Sequence, residues 1–356
     1  MIKKSIRRFA PFVLVVGILL VVQSSTAIGQ TPSPSPTASP AAKPKDDDEP
    51  IKIDTELVNI DVRVVDRNGR PVGNLLQGDF RVLENNEPQQ IEFFSKSEIP
   101  TNYSLVVDNS GSLRQQLDKV IEASKIIVNT NKPDDETSVI RFVSRDKITI
   151  DQDFTSNKND LNDALDNLYI EGGQTAIRDA VYLATQRLTD YEKSNSFDDR
   201  KRRALILVSD GEDRDSYYSE AQLYELLREA NIQIYVIGFV GDLDKDTGFI
   251  KKSPQAKAKS FLERLASETG GKSYFPETLN DLPNIAKDIS NELRSQYSIG
   301  YLPSKKEDGT YRNIKVVISD GPNKEKRIAI TRSGRNANKQ GLSTPATTTT
   351  TANKSN

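Results

Sequence analysis

The stretch Tyr103–Ser112, YSLVVDNSGS, changes character at Asp108. Up to that point it is an apolar run, the pattern of a strand buried on both faces of a parallel sheet. After it come short polar residues and a glycine, which favour a turn opening into a helix. ALILVSD (204–210) and IQIYVIGF (232–239) repeat the apolar run. SVIRFVS (138–144) and KITIDQ (147–152) read as a hairpin that adds an antiparallel edge. Helical spacing occurs at Leu113, Leu117, Val120, Ser124 and Ile127, again at Ile177, Val181, Ala184 and Leu188, and at Ile285, Ile289 and Leu293. Such alternation across residues 99–293 predicts an α/β fold, a Rossmann-like doubly wound sheet.

On either side the texture is different. In residues 51–98 apolar and polar positions alternate through ELVNIDVRVVD, and turns are marked at Asn68-Gly69 and Asn85-Asn86. Residues 294–334 repeat that pattern in QYSIGYLP, NIKVVIS and RIAITR. Each flank is too small to form a stable sheet alone, so the two are expected to combine into one β-sandwich interrupted by the α/β region. Residues 1–29 carry a basic KKSIRR followed by an apolar FAPFVLVVGILLVV and small residues at Ala27 and Gly29. That run falls short of the ~20 residues that span a bilayer, and it matches a secretory signal peptide. An uncleaved N-terminal membrane anchor is the rival reading, and both place the rest of the chain outside the cytoplasm, in periplasm, on the cell surface or secreted. Residues 30–50 form a Pro/Ser-rich linker ending in Asp46–Glu49, and residues 335–356 form a Thr-rich tail; both compositions predict disorder.

The 356 residues include no histidine, no cysteine and no tryptophan. Serine–histidine and cysteine–histidine catalysis, disulfides, and zinc or iron–sulfur sites built on nitrogen and sulfur are therefore excluded. Any metal centre must be made of oxygen donors. A net charge of −2 gives no basic footprint for nucleic acid.

In an open α/β sheet ligands bind beyond the carboxyl ends of the strands. Asp108, followed by Ser110 and Ser112, and Asp210, followed by Gly211, stand at two such ends. Gly172-Gly173-Gln174-Thr175 forms a glycine turn that places Thr175 at the start of another helix. Two carboxylates and three hydroxyls suit a hard divalent cation, Mg2+ first, with Mn2+ or Ca2+ as alternatives. So few negative charges leave the ion electrophilic, and an open position would take a carboxylate from a protein partner.

At these residues the chain resembles the von Willebrand factor type A (VWFA) domain, whose metal-ion-dependent adhesion site is D-x-S-x-S, then a threonine, then an aspartate. Asp108-Asn109-Ser110-Gly111-Ser112, Thr175 and Asp210 match the three elements in order. The flanking Val64–Val72, with Gly78-Asp79-Phe80, and Gln296–Tyr301 are similar to segments of exported bacterial VWFA-related proteins. The resemblance implies a cation-dependent protein-binding module rather than an enzyme. Ser110 and Ser112, and Thr175 in a high-affinity state, would touch the metal directly, Asp108 and Asp210 largely through water. It also implies that displacement of the last helix on binding would pass into the strand at Tyr297.

Other readings weigh less. Asp108 and Asp210 could merely cap helices or form turns. Residues 266–273 imitate a phosphate-binding loop, but a helix precedes them and a strand follows, so Gly270-Gly271 is better taken as a helix C-cap. Asp242, Asp244 and Asp246 imitate an EF-hand opening without its glutamate. Glu212, Asp213 and Asp215 are expected to add negative potential beside the metal. Ser144 and Lys147 fall in a hairpin turn, unlike a serine–lysine hydrolase. A magnesium-dependent hydrolase and a structural envelope protein with a vestigial site remain the functional alternatives. Oligomeric state is not legible.

Overall fold

The first flank supplies β1 (Val58–Asp66), β2 (Phe80–Glu84) and β3 (Glu87–Ser95). The α/β region opens with β4 (Thr101–Asp108), α1 (Leu117–Asn129), β5 (Glu136–Phe142) and β6 (Ile148–Thr155). It continues through α2 (Lys158–Asp166), α3 (Ile177–Ser194), β7 (Arg202–Ser209), α4 (Glu220–Ala230) and β8 (Gln233–Gly238). It closes with α5 (Pro254–Glu268), β9 (Lys272–Tyr274) and α6 (Leu282–Arg294). The second flank adds β10 (Tyr297–Leu302), β11 (Tyr311–Ile318), β12 (Arg327–Ile330) and β13 (Gly334–Asn336). This computed structural model describes residues 57–96, 99–194, 201–241, 243 and 253–337. The expected leader, the linker, the tail from residue 338 and the Asp242, Asp244 and Asp246 trio lie outside the described residues, apart from the intervening Leu243.

The central sheet has the order β6-β5-β4-β7-β8-β9. All neighbours are parallel except the β5–β6 hairpin at one edge. Every residue of β4 is buried, which explains the unbroken apolar run. Side chains still alternate between two layers. Tyr103, Leu105 and Val107 pack with α1, α2 and α6, while Val106 packs with α3, α4 and α5. Local chemistry fixes the helix ends. Ser219 and Gln222 form a capping box on α4, and Ser253 caps α5 ahead of Pro254. Gly270 takes φ +76°, and the N–H groups of Gly270 and Gly271 bond back to Ser267 O (3.3 Å) and Ala266 O (2.9 Å). That Schellman turn is the C-cap expected at the phosphate-loop lookalike.

The flanks interleave in a curled antiparallel sheet of order β12-β1-β10-β3-β2-β11-β13. Its core gathers Ile60, Val62 and Val64 from β1 with Phe80, Val82, Ile299 and Tyr301. Arg335 and Asn336, expected above in the tail, belong to a strand. Gly334–Asn336 pairs with β11, and Arg335 reaches Glu84 (3.2 Å) and Glu307 (2.8 Å). Composition marks this stretch as polar and cannot reveal that a buried Glu84 awaits its charge.

A buried polar seam joins the two sheets. Arg63 of β1 donates to Glu292 Oε2 at 2.7 Å and to Gly271 O at 2.9 Å. Arg202, at the start of β7, donates to Leu293 O (2.7 Å), Ser298 Oγ and Asp61 Oδ1 (both 3.3 Å). The flank sheet thus sits at the amino ends of the central strands. Arg63→Ala should lower unfolding free energy by about 3 kcal/mol, because it leaves a buried carboxylate short of its partner. Urea denaturation should show the Arg63→Met/Glu292→Leu double variant losing less than that single variant.

Candidate metal and partner-binding site

The winding of the central sheet reverses between β4 and β7, with Asp108 and Asp210 at those two strand ends, Ser110 and Ser112 in the loop after β4, and Thr175 in the loop before α3. Asp108 ends β4 and is fully buried; Asp210 follows β7 and is buried as well. Asp108 Oδ1 accepts the Ser110 N–H (2.9 Å) and Oδ2 accepts the Ser209 hydroxyl (2.8 Å). Asp210 Oδ1 accepts the Glu212 N–H at 2.9 Å. These bonds to the residue two places on are Asx turns, so the turn-forming part of the modest reading holds. Helix capping does not. The N-cap of α1 is Gln116 and that of α4 is Ser219, both well beyond the aspartates.

Ser110 Oγ and Ser112 Oγ lie 2.8 Å apart, with Ser110 buried and Ser112 exposed. Thr175, just before α3, is buried, and its carbonyl accepts the N–H groups of Arg214 (2.8 Å) and Asp215 (3.1 Å). The Thr175 turn and the loop after Asp210 are thereby tied together. Both glycine turns allow a close approach. A Cβ on Gly173 would lie 2.5 Å from Val143 Cγ1, and Gly211 adopts φ +84° against Leu262.

Three contributors are not legible as motif residues. Asn109, the variable position of D-x-S-x-S, is fully buried. Its N–H bonds to Phe142 O (2.9 Å), its carbonyl accepts from Glu171 N (2.8 Å), and its amide donates to Tyr169 O (2.6 Å). Ser209 braces Asp108 as described and accepts the Gly211 N–H at 3.1 Å. Asp179, on α3, accepts the N–H groups of Tyr217 (2.7 Å) and Tyr218 (2.9 Å), fixing the loop after β7.

The acids near the site differ from the sequence expectation. Asp213 pairs with Arg178 (3.0 Å), Asp215 with Arg145 (2.6 Å), and Glu212 with Arg214. Each of these carboxylates is thus paired with a base. Lys147 likewise pairs with Glu171 (2.7 Å), and Ser144 donates to Asp146 (2.7 Å), so neither engages the other as a catalytic pair.

Asp108 and Asp210 have no ion-pair partner among the described residues. Burial, and then the neighbouring Asp210 charge, push the Asp108 carboxyl up to about 7. Among the described residues no group of three or more His, Cys, Asp or Glu side chains is placed to hold a metal ion, so hydroxyls must complete any cation site. Two buried carboxylates without a base, beside paired serine hydroxyls, fit a hard cation.

The fold and this constellation define a Rossmann-like α/β domain with an oxygen-only site at its switch point. The sequence profile of the von Willebrand factor type A domain matches residues 104–288, half of the chain, and the protein belongs to that family. An uncharacterised protein of Synechocystis sp. is 26% identical over 189 residues, covering 52% of this chain and 43% of that protein. The chain thus matches less than half the length of that relative. An aerotolerance-related membrane protein from Bacteroides fragilis superposes with TM-score 0.41 at 18% identity, covering 54% of this chain and 98% of that one. A von Willebrand factor type A protein from Catenulispora acidiphila gives 0.43 at 11% identity, covering 79% and 75%. Proximal thread matrix protein 1 from the mussel byssus, with a zinc-occupied MIDAS motif, gives 0.41 at 23% identity, covering 60% and 50%.

A pH dependence follows from Asp108. Its carboxyl is raised from 3.8 to about 7, so the folded state holds a proton that the unfolded state has released. The stabilisation is fully present below the lower value and lost as pH rises through the upper one. In chelator, wild-type protein should lose on the order of 2–4 kcal/mol between these limits. Asp108→Asn should flatten that slope in thermal melts taken across the window.

Proposed function

We propose that this chain is an exported, divalent-cation-dependent protein-binding module, used in adhesion or scaffolding, and not an enzyme. The observation that carries this reading is the buried Asp108 and Asp210 pair, unneutralised by any described base and set beside the Ser110 and Ser112 hydroxyls. Ser110, Ser112 and Thr175 would hold the ion, while Asp108 and Asp210 supply charge and orient water. When bound, Mg2+ or a similar ion offers an electrophilic coordination position to a carboxylate oxygen. Von Willebrand factor type A domains are generally protein-interaction modules, which favours this use over hydrolysis. Ser110 and Ser112 also stand where a phosphohydrolase would need a second carboxylate near its nucleophile.

Export rests on the leader-like residues 1–29; among the described residues no helix is long and apolar enough to cross a membrane.

A pull-down from envelope extract should recover a partner in Mg2+ or Mn2+ and lose it in chelator. Asp108→Ala should abolish capture while leaving the circular dichroism spectrum unchanged. Chelator-sensitive phosphate release from generic phosphoesters would instead favour the hydrolase. A melting temperature indifferent to divalent ions would favour a structural protein.

Only two residues separate α6 from β10, and the Arg63–Glu292 and Arg202–Leu293 contacts grip the end of that helix. Partner binding should therefore alter hydrogen exchange in residues 282–294 and in β10 together. Unchanged exchange in both segments would remove this coupling from the proposal.

A further inference from the structure

Three ion pairs on the loops around the site place the cation outermost. In Arg145–Asp215 the side chains are 53% and 19% exposed, in Lys147–Glu171 44% and 29%, and in Arg214–Glu212 62% and 22%. Each cation faces outward and each carboxylate is tucked beneath it. The same orientation occurs elsewhere, at Arg70–Asp66 with 72% and 7% and at Arg264–Glu268 with 49% and 29%, but it is not general. On helix faces away from these loops, Lys125–Asp166 shows 30% and 58%, and Lys259–Glu263 shows 49% and 50%. Arg114, in the loop after Ser112, is exposed and has no ion-pair partner among the described residues. Asp146, at the hairpin tip, is the one exposed carboxylate within residues 109–116, 143–147, 167–176 and 210–219.

These loops are fixed in place around the site. Asn109 ties the β4 loop to the ends of β5 and of the segment before Thr175, and Thr175 ties that segment to Arg214 and Asp215. Two aromatic residues are exposed on the same loops, Tyr217 at 73% and Tyr169 beside Arg141. Tyr217 is held by its backbone bond to Asp179 and by an edge contact with Tyr218, 5.3 Å between ring centres. Fixed tyrosines among outward arginines are the composition of protein-interface anchors.

We propose that the partner docks through a cluster of carboxylates, one directed at the cation site and the others at Arg114, Arg145, Lys147 and Arg214. A lone acid would leave these outward cations unused. The proposal rests on the cation-site reading and adds to it the partner's chemistry, an acidic segment of polypeptide. Such contacts lie at the solvent boundary and are screened by salt, so they set encounter rate and selectivity more than fold stability.

The test uses two glycine–serine peptides of equal length, one with a single central glutamate and the other with a run of glutamates. Calorimetry in Mg2+ at low ionic strength should show the run binding at least about tenfold more tightly, with the gap closing near ~0.5 M salt. Arg114→Gln/Arg214→Gln should remove most of the gap and leave the Mg2+-induced rise in melting temperature intact. Lys305→Gln/Lys326→Gln, a matched charge change in the flank sheet, should leave the gap as it was. Equal affinities, no binding by either peptide, or an equal effect of the flank-sheet variant would overturn the proposal. Acidic-peptide binding that survives chelator, with no melting response to Mg2+, would leave the rim standing and sink the cation site.

Discussion

The arrangement depends on one electrostatic constraint: two carboxylates, Asp108 and Asp210, buried at adjacent strand ends with no described base beside them. Unneutralised charge in such a place is costly, and the protein meets part of the cost with directed hydrogen bonds. Ser110 N–H, the Ser209 hydroxyl and Glu212 N–H all aim at these oxygens. The Asx turns, the glycine approaches at Gly173 and Gly211, and the Asn109 clamp exist in geometry that keeps the pair together. Glu171, Glu212, Asp213 and Asp215 are each paired with an arginine or lysine. The result separates one uncompensated pair from a neutralised surround.

Much of the fold could be read from the chain because fully buried parallel strands leave a coarse signature. β4, β7 and β8 stand out as apolar runs, and α1, α3 and α6 as helical stripes. α2 and α4 were harder to see. Each is short and buries only a narrow stripe, and α2 begins at Asn157, which also reads as a turn residue. The flank pairing was visible as two incomplete β textures, but its strand order was not. Register there depends on contacts between residues more than two hundred positions apart, such as Val58 with Tyr301. No local pattern encodes such a pairing.

The site shows the same division. Asp108, Ser110, Ser112, Thr175 and Asp210 were recognisable because their spacing repeats a family pattern. Asn109, Ser209 and Asp179 were not, since their work is to hold backbone from another loop. The pairing of the acids after Asp210 is hidden for a related reason. Sequence shows that charge is present and not whether an Arg145 or Arg178 from a distant segment has already balanced it.

The α/β region leaves the flank sheet after β3 and returns into β10, and these are adjacent antiparallel strands with Ser95 opposite Ser298. Its covalent attachment is therefore a two-stranded neck, braced by the Arg63 and Arg202 contacts. A mechanical load entering through β1 and leaving through β13 would be borne as shear within the seven-stranded ladder. The inserted domain lies off that force path, so tension on the polypeptide could be sustained while the switch-point loops at its far end keep their shape.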